Sequence, residues 1–203
     1  MRDFQLPGRS AVMATNGMCA TSHPIAAEAA VDILKRGGTA MDAAIAGAVL
    51  LGICEPQSTG LGGDCFALVS PAGTQDVLAF NGSGRAPAAA DAATLRARGQ
   101  SRVPLNSADA VTVPGAIDMF CTLSERFGRL GLDASLTPAI HYADAGVPVS
   151  GRVAFDWARI ADVLQGAARR HYLIDATPPP LGAIFRAPGQ AEVLRRVARD
   201  GRD

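Results

Sequence analysis

The chain has 203 residues, of which 48% are hydrophobic and 19% are charged, and its formal net charge is zero. This length suffices for one sizeable core, so we expect residues 1–203 to form a single domain. The composition excludes a disordered protein, and the balanced charge argues against a protein that binds nucleic acid through its phosphates.

The chain shows no segment typical of export or membrane insertion. The leading stretch "MRDFQLPGRSAVMATNG" lacks the continuous apolar run of a signal peptide. The most apolar run, residues 40–54, would form a helix of about 22 Å, which is too short to cross a bilayer. We therefore expect a cytoplasmic protein that does not associate with membranes. Four cysteines without paired spacing fit this expectation as reduced, buried thiols, at Cys19, Cys54, Cys65 and Cys121.

The first predicted element is a hairpin over residues 11–22, "AVMATNGMCATS". Asn16-Gly17 favours the positive φ angles of a tight turn, and short apolar runs flank it. Pro24 then suits the first turn of a helix, with Ser22 or His23 as its cap. These features predict a hairpin followed directly by an amphipathic helix.

A second helix is predicted from Thr39, which forms a capping box with Asp42 and precedes a run that is apolar nearly all round. Such a helix must be covered on most sides, and Glu55-Pro56 ends it. No regular alternation of strand and helix follows, which predicts antiparallel sheet layered with helices. The remaining predicted elements are strands at 65–69, 76–80 and 108–113 and helices at 116–127, 138–145, 153–165 and 190–200.

A glycine-rich loop, Gly60-Leu61-Gly62-Gly63-Asp64, lies between the second helix and the strand at 65–69. A nucleotide-binding loop would have to open a helix, whose N-terminal amides bind the phosphates, so we expect no such cofactor. The loop is interpreted either as a tight backbone turn or as a wall of an active site. Nor is a metal expected, because the histidines lack metal-binding spacing at His23, His141 and His171.

Thr21-Ser22-His23 is similar to the start of an autoprocessed N-terminal nucleophile. That chemistry requires a free α-amine beside the hydroxyl, since the amine serves as the base. Cleavage before Thr21 would detach one strand of the predicted hairpin. We therefore interpret these residues as the segment that leads into the first helix.

Three longer segments, in this order, resemble the N-terminal part of the gamma-glutamyltransferase family: "GMCATSHPIAAEAAVDILKRGGTAMDAAIAGAVLLGICEPQSTGLGGDCFALV", "AVTVPGAIDMFCTLSERFG" and "LTPAIHYADAGVPVS". The resemblance runs from about Ser10 to the C-terminus. It implies an α+β fold of the N-terminal nucleophile hydrolase type, an αββα sandwich with antiparallel sheets between helices, of which this chain forms the large-subunit portion.

The resemblance also implies a proenzyme that cuts itself and exposes a threonine at the start of a small subunit. That threonine attacks an amide carbonyl and forms an acyl-enzyme. Its position is implied to lie beyond residue 203, so we assign no catalytic residue here and expect this chain alone to be inactive. The expected partners are the small-subunit segment and a small-molecule amide. Uncovered sheet edges predict that the isolated chain aggregates or forms homo-oligomers.

One departure from the family concerns the substrate arginine. Classical members carry Arg-Glu-x-Ala-Pro after the second hairpin, and here Ser83 stands at the arginine position and Gly84 at the glutamate position. Arg85 follows two residues later. It is a candidate to bind a substrate carboxylate together with Ser83, with Gly62, Gly63 and Asp64 nearby. The alternatives are that Arg85 pairs with Asp64 or turn carbonyls, or that it is merely exposed.

Several functions remain open at this stage. The first is an amide-cleaving acyltransferase or hydrolase of the gamma-glutamyltransferase family. The glycine loop with its aspartate resembles a divergent branch, so an oxamate amidohydrolase-like or acylase-type hydrolase is an alternative. A non-catalytic truncated or split subunit that binds a partner chain is an alternative of another class.

Overall fold

The computed structural model describes residues 11–202. Most of the region tested for a signal peptide therefore lies outside the described residues. The α-helices are α1 (Pro24–Lys35), α2 (Ala40–Cys54), α3 (Ala92–Ala97), α4 (Ala116–Phe127), α5 (Leu132–Ala145), α6 (Gly151–Ile160), α7 (Gly166–Tyr172) and α8 (Pro188–Asp200). The strands are β1 (Cys65–Val69), β2 (Leu78–Gly82), β3 (Val147–Pro148) and β4 (Ile184–Phe185), and short 3₁₀ turns lie at Ala108–Ala110 and Ala161–Val163.

Helix α2 lies at the centre of the core, as its apolar composition predicts. It packs against α1, α4 and α5, and α5 packs in turn against α8. Ile45, Leu50 and Ile53 of α2 are buried, and the largest buried side chain is Trp157 of α6. Trp157 meets Phe185 of β4 edge to face, with 4.9 Å between the ring centroids. Burial of such aromatic and aliphatic surface is the main stabilising contribution to this layer.

The predicted caps of the first two helices are confirmed. His23 is the N-cap of α1, and its Nδ1 accepts a hydrogen bond from the Ile25 amide at 3.3 Å. Thr39 and Asp42 form the capping box of α2. Asp42 is fully buried, and its Oδ2 also accepts the amide hydrogen of Arg129 at 2.9 Å. The carboxylate thus joins the start of α2 to the α4–α5 connection.

The strands form two two-stranded antiparallel sheets, β1–β2 and β3–β4. In the first, Cys65 pairs with Gly82 and Val69 with Leu78. Alternate residues of β1 and β2 face the helices, and Phe80 packs edge to face on Phe127 of α4 with 5.6 Å between centroids. The predicted α+β class with antiparallel sheets is confirmed, and within residues 11–202 the sheets form only part of a sandwich.

Two strand predictions are wrong. Residues 11–22 contain no strand, because an isolated two-stranded hairpin is marginal in water and these residues pair with no described neighbour. Residues 108–113 form a 3₁₀ turn and an extended segment instead of a strand. Val113 makes one backbone hydrogen bond, to Arg85, and Pro114 then removes a donor. The strand predicted at 76–80 is shifted to β2, which begins two residues later.

The predicted helix boundaries are partly corrected. Helix α4 has its predicted bounds. Helix α5 begins at Leu132, six residues before the predicted start at Pro138, because burial of Leu136 and Ala139 offsets the cost of an internal proline. The helix predicted at 153–165 is the shorter α6 followed by a 3₁₀ turn, and α8 begins at Pro188 instead of at residue 190. Helices α3 and α7 were not predicted.

Among residues 11–202, no helix is long and apolar enough to cross a membrane.

Candidate active site

The glycine loop and the turn that contains Arg85 meet at one end of the β1–β2 hairpin. The register places Cys65 opposite Gly82, so the residue before β1 and the residues after β2 are neighbours. Asp64 Oδ1 accepts a hydrogen bond from the Gly84 amide at 3.2 Å. Antiparallel pairing therefore brings together the loop and the turn that the sequence analysis selected separately.

The turn Ser83–Arg85 is held through its backbone. The Ser83 amide donates to Asn81 Oδ1 at 2.9 Å, an arrangement typical of Asx turns. The Val113 amide donates to the Arg85 carbonyl at 2.9 Å. Both contacts use main-chain atoms of the turn, so the side chains of Ser83 and Arg85 are left free to point outward.

Ser83 and Arg85 are both exposed. Within residues 11–202, the Arg85 guanidinium forms neither an ion pair with Asp64 nor a hydrogen bond to a turn carbonyl. The carboxylate of Asp64 instead contacts the backbone beside Arg85. Among the described residues, none occupies the donors of this planar cation, and free donors are what recognition of a carboxylate requires.

Tight backbone packing fixes the position of the turn. A Cβ atom at Gly84 would lie 1.7 Å from the Val113 carbonyl oxygen, and one at Gly115 would lie 2.3 Å from the Gly82 carbonyl oxygen. A Cβ at Gly82 would lie 2.7 Å from Met119. Glycine is therefore needed at these positions so that the turn can lie directly on the segment that leads into α4.

The glycine loop caps helix α4. The Gly63 carbonyl accepts from the amides of Gly115 and Ala116, at 3.1 and 3.0 Å, which satisfies donors at the helix start. Gly62 is exposed, and a Cβ there would meet no described atom within 4 Å. Within the described residues, hydrogen bonds at Gly63 fix the loop to the start of α4, whereas no contact requires glycine at position 62.

The other side of the loop faces a cavity of about 420 Å³ between the loop and the start of α8. Tyr172 and Phe185 stack in its wall, with their ring centroids 6.1 Å apart. Gln190 Nε2 donates to the Tyr172 hydroxyl at 2.7 Å. The loop therefore borders this aromatic cavity through Gly60, Leu61 and Gly62 and contacts the turn that carries Arg85 through Asp64.

Thr21-Ser22-His23 leads into α1, as predicted, although the predicted hairpin used to exclude it as a nucleophile does not form. The Ser22 hydroxyl donates to Glu55 at 2.7 Å, and His23 caps the helix. Burial lowers the pKa of His23, and the charge of Glu55 opposes that shift. The Ser22 hydroxyl and the His23 imidazole are therefore both engaged in local hydrogen bonds.

The four cysteines are free thiols; Cys54 and Cys121 are buried as predicted, whereas Cys19 and Cys65 are only partly buried. Burial raises the pKa of Cys54 to about 12, and the charge of Glu55 adds to the effect. Such a thiol stays protonated and unreactive near neutral pH. No group of three or more metal-binding side chains occurs in the part of the chain that the structure describes. A reducing, cytoplasmic location remains a prediction.

The family model of gamma-glutamyltranspeptidase matches residues 26–203. The chain belongs to the gamma-glutamyltranspeptidase family. Among curated relatives, it is 40% identical over 183 residues to the glutathione hydrolase-like YwrD proenzyme of Bacillus subtilis, covering 90% of this chain and 32% of that protein. It is 34% identical over 203 residues to the oxamate amidohydrolase proenzyme of Klebsiella pneumoniae, covering 96% of this chain and 38% of that protein.

Among solved structures, the cephalosporin acylase of Bacillus halodurans superimposes with a TM-score of 0.88 at 39% identity, covering 98% of this chain and 39% of that one. This likeness confirms the predicted α+β fold of the N-terminal nucleophile hydrolase type. The chain spans about a third of the length of the curated gamma-glutamyltranspeptidase-family relatives named above.

The structure brings together most of the residues selected from the sequence. Gly63, Asp64, Ser83 and Arg85 surround one end of the hairpin, and Gly62 lines the cavity on the other side of the loop. Sequence reasoning missed the support that Asn81, Val113 and Gly115 give to the turn. Asn81 before Gly82 is a turn-forming pair that would have indicated its role.

Proposed function

We propose that this chain is the large-subunit part of an amide-cleaving enzyme of the gamma-glutamyltranspeptidase family, and that Arg85 and Ser83 bind the acyl group of its substrate. The observation that carries the proposal is the exposed Arg85 guanidinium, which no described residue engages and which leaves a backbone turn that the hairpin and the segment before α4 hold in place. A guanidinium presented in this way matches the two oxygens of a carboxylate.

The reaction that we propose needs a nucleophile from a partner segment. A threonine hydroxyl at the start of the small subunit attacks the amide carbonyl, while its own α-amine takes the proton. The carbon–nitrogen bond breaks, the amine leaves, and the acyl group remains as an ester on the threonine. Water or an acceptor amine then releases it. The role of the present chain is to build the scaffold and part of the acyl pocket, so we propose that it is inactive alone.

The outward face of the β1–β2 hairpin supports a partner. Phe66 and Leu68 of β1 are 67% and 77% exposed, and Ala79 of β2 is exposed opposite Leu68. An apolar face on a sheet of two strands with open outer edges is typical of a surface that another polypeptide covers. We propose that the small subunit covers this face and that the isolated chain self-associates through it.

A small acyl group that carries a carboxylate is a second candidate substrate, in place of gamma-glutamyl. It is favoured by the displaced arginine at position 85 and by the similarity to an oxamate amidohydrolase proenzyme. Moving the cation by two residues changes the distance between the carboxylate and the scissile carbonyl that the site accepts. Hydrolysis and transfer to an amine both remain compatible with this proposal.

The test compares amide turnover by the complete enzyme, this chain together with its small subunit, on gamma-glutamyl, oxamate and glutaryl amides. Arg85→Ala is expected to lower kcat/KM on the preferred substrate about tens- to thousand-fold, since losing an arginine–carboxylate contact costs about 2–5 kcal/mol. Self-cleavage is expected to continue, because Arg85 is exposed and supports no described side chain. Arg96→Ala, an exposed arginine on α3, is the matched control and should change neither property.

Unchanged kinetics of Arg85→Ala would remove this residue from the substrate site. Amide turnover by this chain alone would contradict the need for a threonine from the small subunit. Absence of turnover by the complete enzyme, with no self-cleavage, would favour the non-catalytic partner-binding subunit.

A further inference from the structure

Asp64 is hydrogen-bonded to Gly84, the residue between the two proposed substrate-binding residues Ser83 and Arg85. Its Oδ1 accepts the Gly84 amide hydrogen at 3.2 Å, across 20 positions of the chain. Gly84 is flanked by Ser83 and Arg85. A hydrogen bond at this amide therefore acts on the backbone from which both side chains leave.

The turn has few other supports. Asn81 holds the Ser83 amide, and Val113 holds the Arg85 carbonyl. Between these two contacts, the bond from Asp64 holds the central amide of the turn. Because the Arg85 side chain is engaged by no residue among 11–202, the direction in which it leaves the backbone depends on the backbone alone.

Close packing makes the turn sensitive to small movements. The Gly84 Cα already lies so near the Val113 carbonyl that a Cβ there would approach within 1.7 Å of its oxygen. The turn therefore cannot move toward the Val113 carbonyl, and the hydrogen bond from the Gly84 amide to Asp64 restrains it further. A displacement of about 1 Å at a binding group is enough to lower activity about a hundredfold.

We propose that Asp64 is a positioning residue, which fixes the Ser83–Arg85 turn through the Gly84 amide and so holds Arg85 at the substrate. The inference rests on the proposed function of Arg85. It differs from a purely structural role for Asp64, in which the carboxylate would stabilise the hairpin without affecting substrate affinity.

The test is a double-mutant cycle in the complete enzyme with Asp64→Ala, Arg85→Ala and the double variant. Asp64→Ala is expected to raise KM about tenfold with kcat within about threefold of wild type, because binding is weakened while the nucleophile, which the partner segment supplies, is unchanged. In the Arg85→Ala background, Asp64→Ala should raise KM much less, because only the placement of Ser83 is then left to lose. Asp64→Asn keeps an oxygen acceptor and should retain most of the affinity.

Asp76→Ala is the matched control, since Asp76 is an exposed aspartate on the β1–β2 connection. It should leave KM and kcat unchanged. If the effects of Asp64→Ala and Arg85→Ala are additive, or if Asp64→Ala lowers kcat and the thermal unfolding midpoint together without raising KM, the positioning role is wrong.

The outcomes separate this inference from the proposed function. If Arg85→Ala is impaired and Asp64→Ala equals wild type, only the inference about Asp64 fails. If the complete enzyme cleaves no amide, the proposed function fails and with it the substrate-positioning role, and amide hydrogen exchange at Gly84 then tests only whether Asp64 fixes the turn. Protection that is lost in Asp64→Ala and kept in Asp64→Asn supports this fixing of the turn, and equal protection in all three proteins overturns it.

Discussion

The core around α2 and the turn that carries Arg85 are held together in opposite ways. In the core, side chains provide the stabilising contacts: Ile45, Leu50 and Ile53 are buried, and the fully buried Asp42 accepts hydrogen bonds from backbone amides of two segments. At the turn, the contacts from Asn81, Asp64 and Val113 all reach backbone atoms of the turn, while the side chains of Ser83 and Arg85 are exposed.

This difference separates the requirements of stability from those of binding. Buried side chains contribute stability through apolar area and satisfied hydrogen bonds, but they are no longer available to a ligand. A turn fixed by amides, carbonyls and close glycine packing keeps its side chains free. Substitutions in the core should therefore act mainly on the free energy of unfolding, and substitutions at the turn mainly on activity.

The largest effect on stability is expected from Asp42→Ala. The substitution leaves the amides of Thr39 and Arg129 without their buried acceptor, and we expect it to lower the free energy of unfolding by about 3 kcal/mol. Urea-induced unfolding followed by circular dichroism measures the change. Asp32→Ala, which removes an exposed carboxylate on α1, should stay within about 0.5 kcal/mol of wild type. Equal effects of the two variants would contradict the role of Asp42.

A smaller effect on stability and a larger one on activity are expected from Gly84→Ala. The new Cβ would overlap the Val113 carbonyl, so the turn must move, at a cost of about 2 kcal/mol in stability. Activity should fall further than in Arg85→Ala, because Ser83 moves as well. Gly62→Ala is the matched control, because its Cβ would meet no described atom within 4 Å. Its free energy of unfolding should be unchanged or up to about 1 kcal/mol higher than that of wild type. Normal activity of Gly84→Ala would show that the turn tolerates displacement.

The smallest effect is a pH dependence at His23. Burial holds the pKa of His23 below its ordinary value of 6.5, so below that pH the unfolded chain takes up a proton that the folded chain resists. The contribution of this group to stability is therefore lost as pH falls through 6.5 toward the lowered folded-state pKa.

His23→Asn is expected to keep the helix cap, because its side-chain oxygen can accept the Ile25 amide hydrogen, and to remove this proton uptake. Urea unfolding at about pH 7.5 and about pH 5 should then show a smaller loss of stability in His23→Asn than in wild type. An equal loss in both proteins would assign the pH dependence to other groups.

Local signals predicted the elements whose ends are chemically marked. The Thr39–Asp42 capping box and Glu55-Pro56 predicted both ends of α2, and Pro114-Gly115 with Gly128 predicted both ends of α4. The same kind of reasoning failed at Pro138, where packing of α5 against α2 and α8 outweighs the local preference of proline. It also failed at Asn16-Gly17, whose turn preference has no paired strands to stabilise it.

The candidate site was only partly predictable. The residue types at the glycine loop and at Arg85 were selected from the sequence, together with an open choice between a substrate contact, an ion pair with Asp64 and plain exposure. The pairing of Cys65 with Gly82, and the bond from Asp64 to the Gly84 backbone, could not be derived, since both depend on the register of β1 and β2. Register depends on which residues the surrounding helices bury.

The sequence by itself determined the family, the α+β class and the central apolar helix. Motifs, caps and hydrophobic patterning depend only on residues that are close together in the chain, so they can be recognised without the tertiary structure. Only the tertiary structure decided that the loop before β1 meets the turn after β2, that Asp64 contacts a backbone amide instead of Arg85, and that the guanidinium stays free among the described residues. These contacts join residues far apart in the chain, and their geometry exists only after the core has packed.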